Sequence, residues 1–301
     1  MDLHTLRQFL VVARLEHLSR AAEELRVAQP SLSRTIARLE NELGTPLFDR
    51  AGRLRLNEAG RLFRGYVERS LGELDAGRRA VAESTGEGFG TVRLASETFL
   101  TFTGPLAAYK RAHPGIEVEL HQMPAAEMAR ALRAQEIDLC VASQPIPADD
   151  LESIRLFDDP VGVGTSHDHP LAGRPSVSVD DLADESFISA SRGHWQRRLL
   201  DRLFATRNLT PKIICEVDEL SAIAELIGAG LGIGLVPGMA RNTATRLPGT
   251  WIPVDHPDCR RTVTLSRWTG AHPSTATRLM QTTITTWNWT SKNNGPAVRH
   301  E

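Results

Sequence analysis

The feature that most constrains this 301-residue chain is a change of period at Gly86, Gly88 and Gly90. Before these glycines, apolar residues recur every three or four positions, the spacing of helices that bury one face. After them, strand-like and helix-like runs alternate: TVRLAS, LTFTGPLAAYKRA, IEVELHQ, AAEMARALRAQ, IDLCVAS. That order predicts a parallel sheet with crossover helices. No single layer architecture satisfies both patterns. The chain must therefore build a helical part and an α/β part, and its length suffices for both.

In the first part, Leu3, Leu6, Phe9, Leu10 and Ala13 predict a helix to about His17. Ser19 is the expected N-cap of a second helix ending near Leu25. Pro30 suits the first turn of a third, which runs to Leu43 and stops at Gly44. Phe48 and the alternating Leu54-Arg55-Leu56 predict a short hairpin. A long helix is expected from Glu58 to about Ser84, carrying Phe63, Val67, Leu71, Leu74 and Val81. Val67, Leu74 and Val81 are seven apart, as in a helix-pairing seam. Beyond the glycines, a second α/β set follows the first: strands at SIRLFDDPVGVGT, SFISA, KIICEV, GIGLVP and RTVTLSRW. Its helices are expected at HWQRRLLDRLFATR, ELSAIAELIGAG and PSTATRLMQTTITTW. Two such halves predict two lobes with a cleft between them.

Charge adds a bias. Residues 1–64 hold eleven arginines against eight acids, although the whole chain carries a net charge of -2. The first lysine is Lys110, so every earlier side-chain cation other than histidine is a guanidinium, a shape suited to phosphates and base edges. The third helix shows where this matters. At about 100° per residue, Ser31, Arg34, Thr35 and Arg38 fall on one face. Leu32, Ile36, Leu39 and Leu43 fall on another, facing Leu6, Phe9, Leu25 and Val27. Hydroxyls and guanidiniums opposite an apolar face are what a recognition helix presents to DNA. An exposed helix face is often polar merely to stay soluble. Here the ordered set of three helices and an arginine-bearing hairpin favours a helix-turn-helix with a wing.

At this point the resemblance becomes specific. Ala21-Ala22, Leu25, Ala28-Gln29-Pro30, Ser31-Leu32-Ser33, Ile36, Leu39-Glu40, Leu43-Gly44, Leu47-Phe48 and Arg50 match, without a gap, the hallmark of LysR-type transcriptional regulators. AHPGIEVEL, DHPLAGR and ELIGAGLGIGLVP resemble phrases of that family's C-terminal domain. The resemblance implies an α/β protein with an N-terminal winged helix-turn-helix, a long linker helix and a C-terminal two-lobed, periplasmic-binding-protein-like domain. The expected boundaries are 1–60 for DNA binding, 61–89 for the dimerising linker, 90–287 for effector binding and 288–301 for a flexible tail. Family contacts to double-stranded DNA carry over onto Gln29, Pro30, Ser33, Arg34 and wing Arg50. The helical-face argument adds Ser31, Thr35 and Arg38, and Arg53 belongs to the thinned wing. The resemblance also implies a homodimer or homotetramer.

The family's effector lies between the lobes. The matching positions are Ser96 and Thr98 after the first strand, Ser143, Ser189, Arg192 with His194 and Trp195, and Glu219 beside Asp218. Helix N-termini there favour an anionic effector. Ala125-Ala126, however, stands where many carboxylate-sensing relatives place a hydroxyl.

Other motifs carry less. The glycine-rich run from Gly228 to Gly238 has Pro237 where a phosphate-binding helix would begin. His167 and His169 have metal-like spacing without an obvious third ligand. Cys140, Cys215 and Cys259 form no zinc or disulfide pattern. No catalytic motif is found, so neither an enzyme nor a cofactor is expected. A periplasmic solute-binding protein would not need residues 1–60. The amphipathic, charged N-terminal stretch lacks a signal-peptide core, so a cytoplasmic location is expected.

Overall fold

The computed structural model describes residues 1–49, 53–84, 90–99, 102–242 and 249–289. It divides into two compact units: Met1–Glu87 with Arg133–Glu136, and Gly88–Leu132 with Ile137–Glu301. The glycine run at 85–90 falls outside the described residues except for Gly90.

The first unit contains α1 (Leu3–Leu15), α2 (Leu18–Leu25), α3 (Gln29–Leu43), β1 (Phe48–Asp49), β2 (Arg55–Leu56) and α4 (Glu58–Ser84). α1 starts where Asp2 Oδ1 accepts from the Thr5 amide at 2.8 Å. The cap of α2 is His17 and not Ser19: the imidazole Nδ1 accepts from the Arg20 amide at 3.3 Å, leaving Ser19 inside the first turn. α3 has Pro30 in its first turn and ends at Gly44, whose φ of 70° suits a residue without Cβ. Phe9, Val12, Ala21, Leu32, Ile36, Leu39 and Phe48 form one core. Leu43, expected on the buried face, is 36% exposed because the helix end has passed beyond that core.

Two carboxylates fasten the wing to the helices. Glu40 is almost buried, and its Oε1 accepts from the Leu47 and Phe48 amides at 2.8 and 3.3 Å. Glu16 Oε1 accepts from the Leu56 amide at 2.9 Å. Phe48 and Asp49 pair antiparallel with Leu56 and Arg55. Asn57 then turns the chain into α4, accepting from the Gly60 amide and donating to the Pro46 carbonyl, both at 2.8 Å.

The expected seam on α4 is divided. Val67 and Leu71 are buried in the unit's own core, whereas Leu74 and Val81 are exposed. Val67, the seam's first member, lies where α4 is still covered by the unit's own helices. The later two lie beyond that cover.

The second unit begins with β3 (Thr91–Ser96), α5 (Thr103–Ala112), β4 (Glu117–Gln122), α6 (Ala125–Arg133) and β5 (Leu139–Ala142). β3 pairs in parallel with both β4 and β5; the alternation predicts the parallel sense, and the structure adds that β3 lies between the other two. Then come β6 (Leu151–Thr165), β7 (Ser186–Ser189), α7 (Trp195–Ala205), β8 (Lys212–Glu216), α8 (Leu220–Gly228), β9 (Gly234–Pro237), β10 (Thr250–Pro253), β11 (Arg260–Trp268) and α9 (Thr275–Thr285). The sequence pattern does not predict β10. β11 runs antiparallel to β5 and to residues 151–160 of β6, while residues 161–165 of β6 pair with β9 and β10. One lobe's core gathers Leu94, Tyr109, Leu139, Leu265 and Met280; the other gathers Val163, Phe187, Leu203, Phe204 and Ile233. The single long strand β6 serves both.

Gly60 tests the wing's anchorage. A Cβ there would meet the Leu47 carbonyl oxygen at 2.1 Å and Leu56 Cδ2 at 2.6 Å. Alanine's helix propensity would favour Gly60→Ala by about 1 kcal/mol, but a backbone atom cannot yield as a side chain does, and overpacking costs about 1–3 kcal/mol. Gly60→Ala should therefore lower the urea midpoint of the first unit. Gly65→Ala, whose nearest neighbour is the flexible Arg69 at 3.6 Å, should not lower it. A raised midpoint for Gly60→Ala would show that the wing root gives way.

Candidate DNA-binding and ligand-binding sites

On α3, the buried residues Leu32, Ile36, Leu39 and Glu40 occupy one side. Ser31, Arg34 and Arg38 are exposed on the other, with Thr35 half-buried at its edge. Gln29 and Pro30 are exposed at the helix start, and no side chain caps it. Ser33 is half-buried and lies about 20° from buried Glu40 around the helix, so it sits at the edge of the buried side and outside the polar face. Two members are held on their own helix: Arg34 Nε donates to the Pro30 carbonyl at 3.3 Å, and Thr35 Oγ1 donates to the Ser31 carbonyl at 3.2 Å. The Arg34 bond is exposed and long, so exchanging it for a phosphate or base edge costs little. Arg53 is exposed on the wing, while Arg50 lies outside the described residues.

In the second unit, four loops named from sequence converge. Glu97, between Ser96 and Thr98, is 6% exposed. Its carboxylate accepts from the Ser143 amide at 2.9 Å and from Gln144 Nε2 at 3.4 Å. Gln144 Nε2 also donates to the Gly193 carbonyl at 3.3 Å. Asp218 accepts from the Ser191 amide at 3.0 Å and lies 3.6 Å from His194 Nε2. Burial pushes the Glu97 carboxyl above its usual range; the Ser143 amide opposes this most, followed by His194, Arg261 and the Trp195 amide at the start of α7.

The hydroxyls expected to meet an effector already have partners. Ser96 Oγ donates to the Thr98 carbonyl at 2.8 Å, and Ser189 Oγ to the Ala190 carbonyl at 3.2 Å. Ser143 Oγ accepts from Arg261 Nη1 at 3.1 Å. Thr98 is half-buried, and Arg192 and Glu219 are exposed. The Glu219 carboxylate accepts from Ser221 Oγ.

Arg261 joins the lobes' shared strands. Its side chain is 2% exposed, as is that of Asp159 on β6. Nε and Nη2 lie 3.0 and 2.9 Å from Asp159 Oδ2, and Asp159 Oδ1 accepts from the Met239 amide at 3.0 Å. The guanidinium also lies over the Trp195 ring, 5.0 Å from its centroid. Beside this pair opens a cleft of about 610 Å³, lined by the loop from Ser143 to Pro147, one face of α7 and the start of β11. Of the residues expected at the effector site, only Ser143 and Trp195 line it.

The helical unit matches the profile of the bacterial regulatory helix-turn-helix protein, lysR family, over residues 3–61; the LysR substrate binding domain matches residues 85–288. The chain belongs to the LysR family of transcriptional regulators. It is 33% identical over 270 residues to the uncharacterized HTH-type transcriptional regulator YybE of Bacillus subtilis (strain 168), a match spanning 87% of this chain and 91% of that one. Full-length CbnR, solved in complex with its target DNA, shares the fold with a TM-score of 0.64 at 20% identity, over 94% of this chain and 99% of that one. The effector binding domain of QuiR, solved with shikimate, does so with a TM-score of 0.57 at 24% identity, over 65% of this chain and 95% of that one. LysR-type relatives are regulators, not enzymes.

Within this LysR-type chain, sequence reasoning missed Arg198, Arg202 and Arg260 beside the cleft, and the carboxylate of Glu97. The first two were legible in principle. Trp195, Arg198, Leu199 and Arg202 are spaced 3, 4 and 7 from the first, hence on one helical face.

The buried pair gives a prediction. Removing one partner strands a charge in a dry site, at a cost of about 3–5 kcal/mol. Arg261→Met should therefore destabilise the second unit strongly, and adding Asp159→Leu should recover part of the loss. A double-mutant cycle by urea unfolding reads the coupling. Additive losses would mean that the two side chains do not depend on each other.

Proposed function

We propose that this LysR-type regulator reads DNA through α3 and its wing, pairs through α4, and changes its DNA binding when a small molecule enters the second unit. The observation that carries the reading is the polar face of α3, Ser31, Arg34, Thr35 and Arg38, opposite a core that fixes its orientation. Gln29, Pro30 and Ser33 add contacts from the first turn of the helix, and Arg50 and Arg53 meet backbone phosphates. The target DNA in the CbnR complex and the shikimate in the QuiR complex support the two ligand classes by analogy. The domain limits that fit are 1–60, 61–89 and 90–287, with residues 288–301 as a tail. No helix among the described residues is long and apolar enough to cross a membrane; a cytoplasmic site of action is part of the proposal.

Arg34 reads sequence and Arg53 holds phosphate. A bidentate arginine–guanine pair discriminates by about 1–3 kcal/mol. Arg34→Ala should flatten the difference between DNA from upstream of the protein's own gene and random DNA. Arg53→Ala should weaken both, lowering the salt slope by about 0.9 for each phosphate left without its guanidinium. Fluorescence anisotropy at several salt concentrations decides; equal weakening of both DNAs by Arg34→Ala would move base reading to Gln29, Pro30 and Ser33.

Pairing rests on the exposed Leu62, Tyr66, Leu74 and Val81 of α4. Leu74→Glu should place a charge in the seam and yield monomers. The side chain is half exposed within one chain, so the substitution leaves the fold intact. Sedimentation of this variant as the wild-type oligomer would show that the seam lies elsewhere.

A further inference from the structure

The interlobe position named from sequence is poorly built to receive an anion. The Ser143 amide, the Gln144 amide group and the start of α7 already serve Glu97. An incoming carboxylate at Ser96 and Thr98 would find these donors already taken by the buried Glu97 carboxyl.

The neighbouring cleft has the opposite character. Arg198 and Arg202 project from one face of α7, and Arg260 from the start of β11. All three are exposed, and none is in an ion pair among the described residues. Asp258 is the single acidic residue in the lining. Arg261 adds no free charge, since Asp159 neutralises it. Asp158, next to this strand, is engaged by Thr262 first and by Arg155, with Arg260 contributing least. Three guanidiniums therefore surround one concave space with one carboxylate among them. The rest of the wall is mainly apolar: Pro145, Pro147, Leu199 and Trp195 offer surface for a carbon skeleton.

We propose that the cleft formed by Arg198, Arg202 and Arg260 binds a small polyanion, a phosphate ester or polycarboxylate, and is the second unit's anion site in place of the Ser96–Thr98 position. This rests on reading the second unit as ligand-binding, and it changes both where the ligand sits and what charge it carries. Guanidiniums suit planar or tetrahedral oxyanions because their donors form a fixed fork. One anionic group cannot balance two or three such forks, so a ligand with at least two negative charges is favoured over a monocarboxylate.

The probes are inorganic phosphate, citrate and acetate, titrated calorimetrically into the full chain at low and physiological salt. Citrate or phosphate should bind saturably and more tightly than acetate, with affinity falling as salt rises. Phosphate favoured over citrate would point to a phosphate ester, and the reverse to a polycarboxylate. Arg198→Gln and Arg260→Gln should each weaken the preferred probe by roughly tenfold or more. Arg207→Gln, an exposed arginine beyond the cleft near Asp180, removes the same net charge and should leave affinity unchanged. No saturable binding of either polyanion would overturn the site, as would wild-type affinity in both cleft variants or an equal loss in Arg207→Gln. DNA binding measured with and without the probe separates the two readings. Saturable binding that leaves DNA affinity untouched keeps the site and removes its role as an effector site.

Discussion

The second unit depends on a charge pair that would be costly to build alone. Asp159 and Arg261 are both almost completely buried, on adjacent strands at the point where β6 and β11 pass between the lobes. Taking each ion out of water costs several kcal/mol, and their attraction repays this only when the remaining donors and acceptors are satisfied. Here they are largely satisfied. Asp159 takes the Met239 amide with its second oxygen, and Arg261 gives a donor to Ser143 and its face to Trp195. The pair therefore fixes four things together: the ends of β5, β9 and β11 and the start of α7. Glu97 then settles against the same Ser143, on its amide side, and the loops around the interlobe position take their places from these two residues.

The first unit solves an equivalent problem with weaker parts. A two-stranded wing cannot hold itself, since so short a hairpin has little surface to bury. Glu40 on α3 and Glu16, the C-cap of α1, supply acceptors to the wing's amides, and Asn57 and Gly60 close the return into α4. A charged acceptor strengthens such bonds. The consequence for DNA is positional. The carboxylate that holds β1 is on α3 itself, so wing and recognition helix move as one piece.

Periodicity makes most of this architecture legible from the residues alone. The three helices, the hairpin, the long helix and the parallel sense of β3, β4 and β5 follow from spacing and alternation; the β4–β3–β5 order does not. Failures arise where local signals are shared or hidden. Ser19 and His17 both offer an acceptor near the start of α2, and the imidazole sits at the position where the backbone is extended. β10 is four residues long and gains its stability from pairing with β6, which spacing cannot reveal. Asp158-Asp159 and Arg260-Arg261 hide the buried pair behind an identical neighbour. Strand phase would have chosen correctly: Asp159 is in register with buried Val161 and Val163, and Arg261 with buried Val263 and Leu265. The exposed positions of Leu74 and Val81 are invisible in sequence because a seven-residue repeat does not state where the unit's own core stops.

The same adjacency recurs on α7 and bears on how a ligand would act. Arg197 turns inward, 2.9 Å from Asp201 and 2.6 Å from Glu216 on β8, and Gln196 Nε2 donates to the Leu235 carbonyl at 3.1 Å. These bonds mount the helix on its own lobe. Arg198 and Arg202, on the other face, are thereby held at a fixed distance from β8 and β9. Arg260, by contrast, belongs to the strand that joins the lobes. An anion touching Arg198 and Arg260 together ties a helix of one lobe to that joining strand. Such a ligand shifts the lobes only as far as its contacts differ between their arrangements. A rigidly mounted pair of arginines on one side and a strand-borne arginine on the other is an arrangement in which they would differ, because only the separation between the two sides has to change.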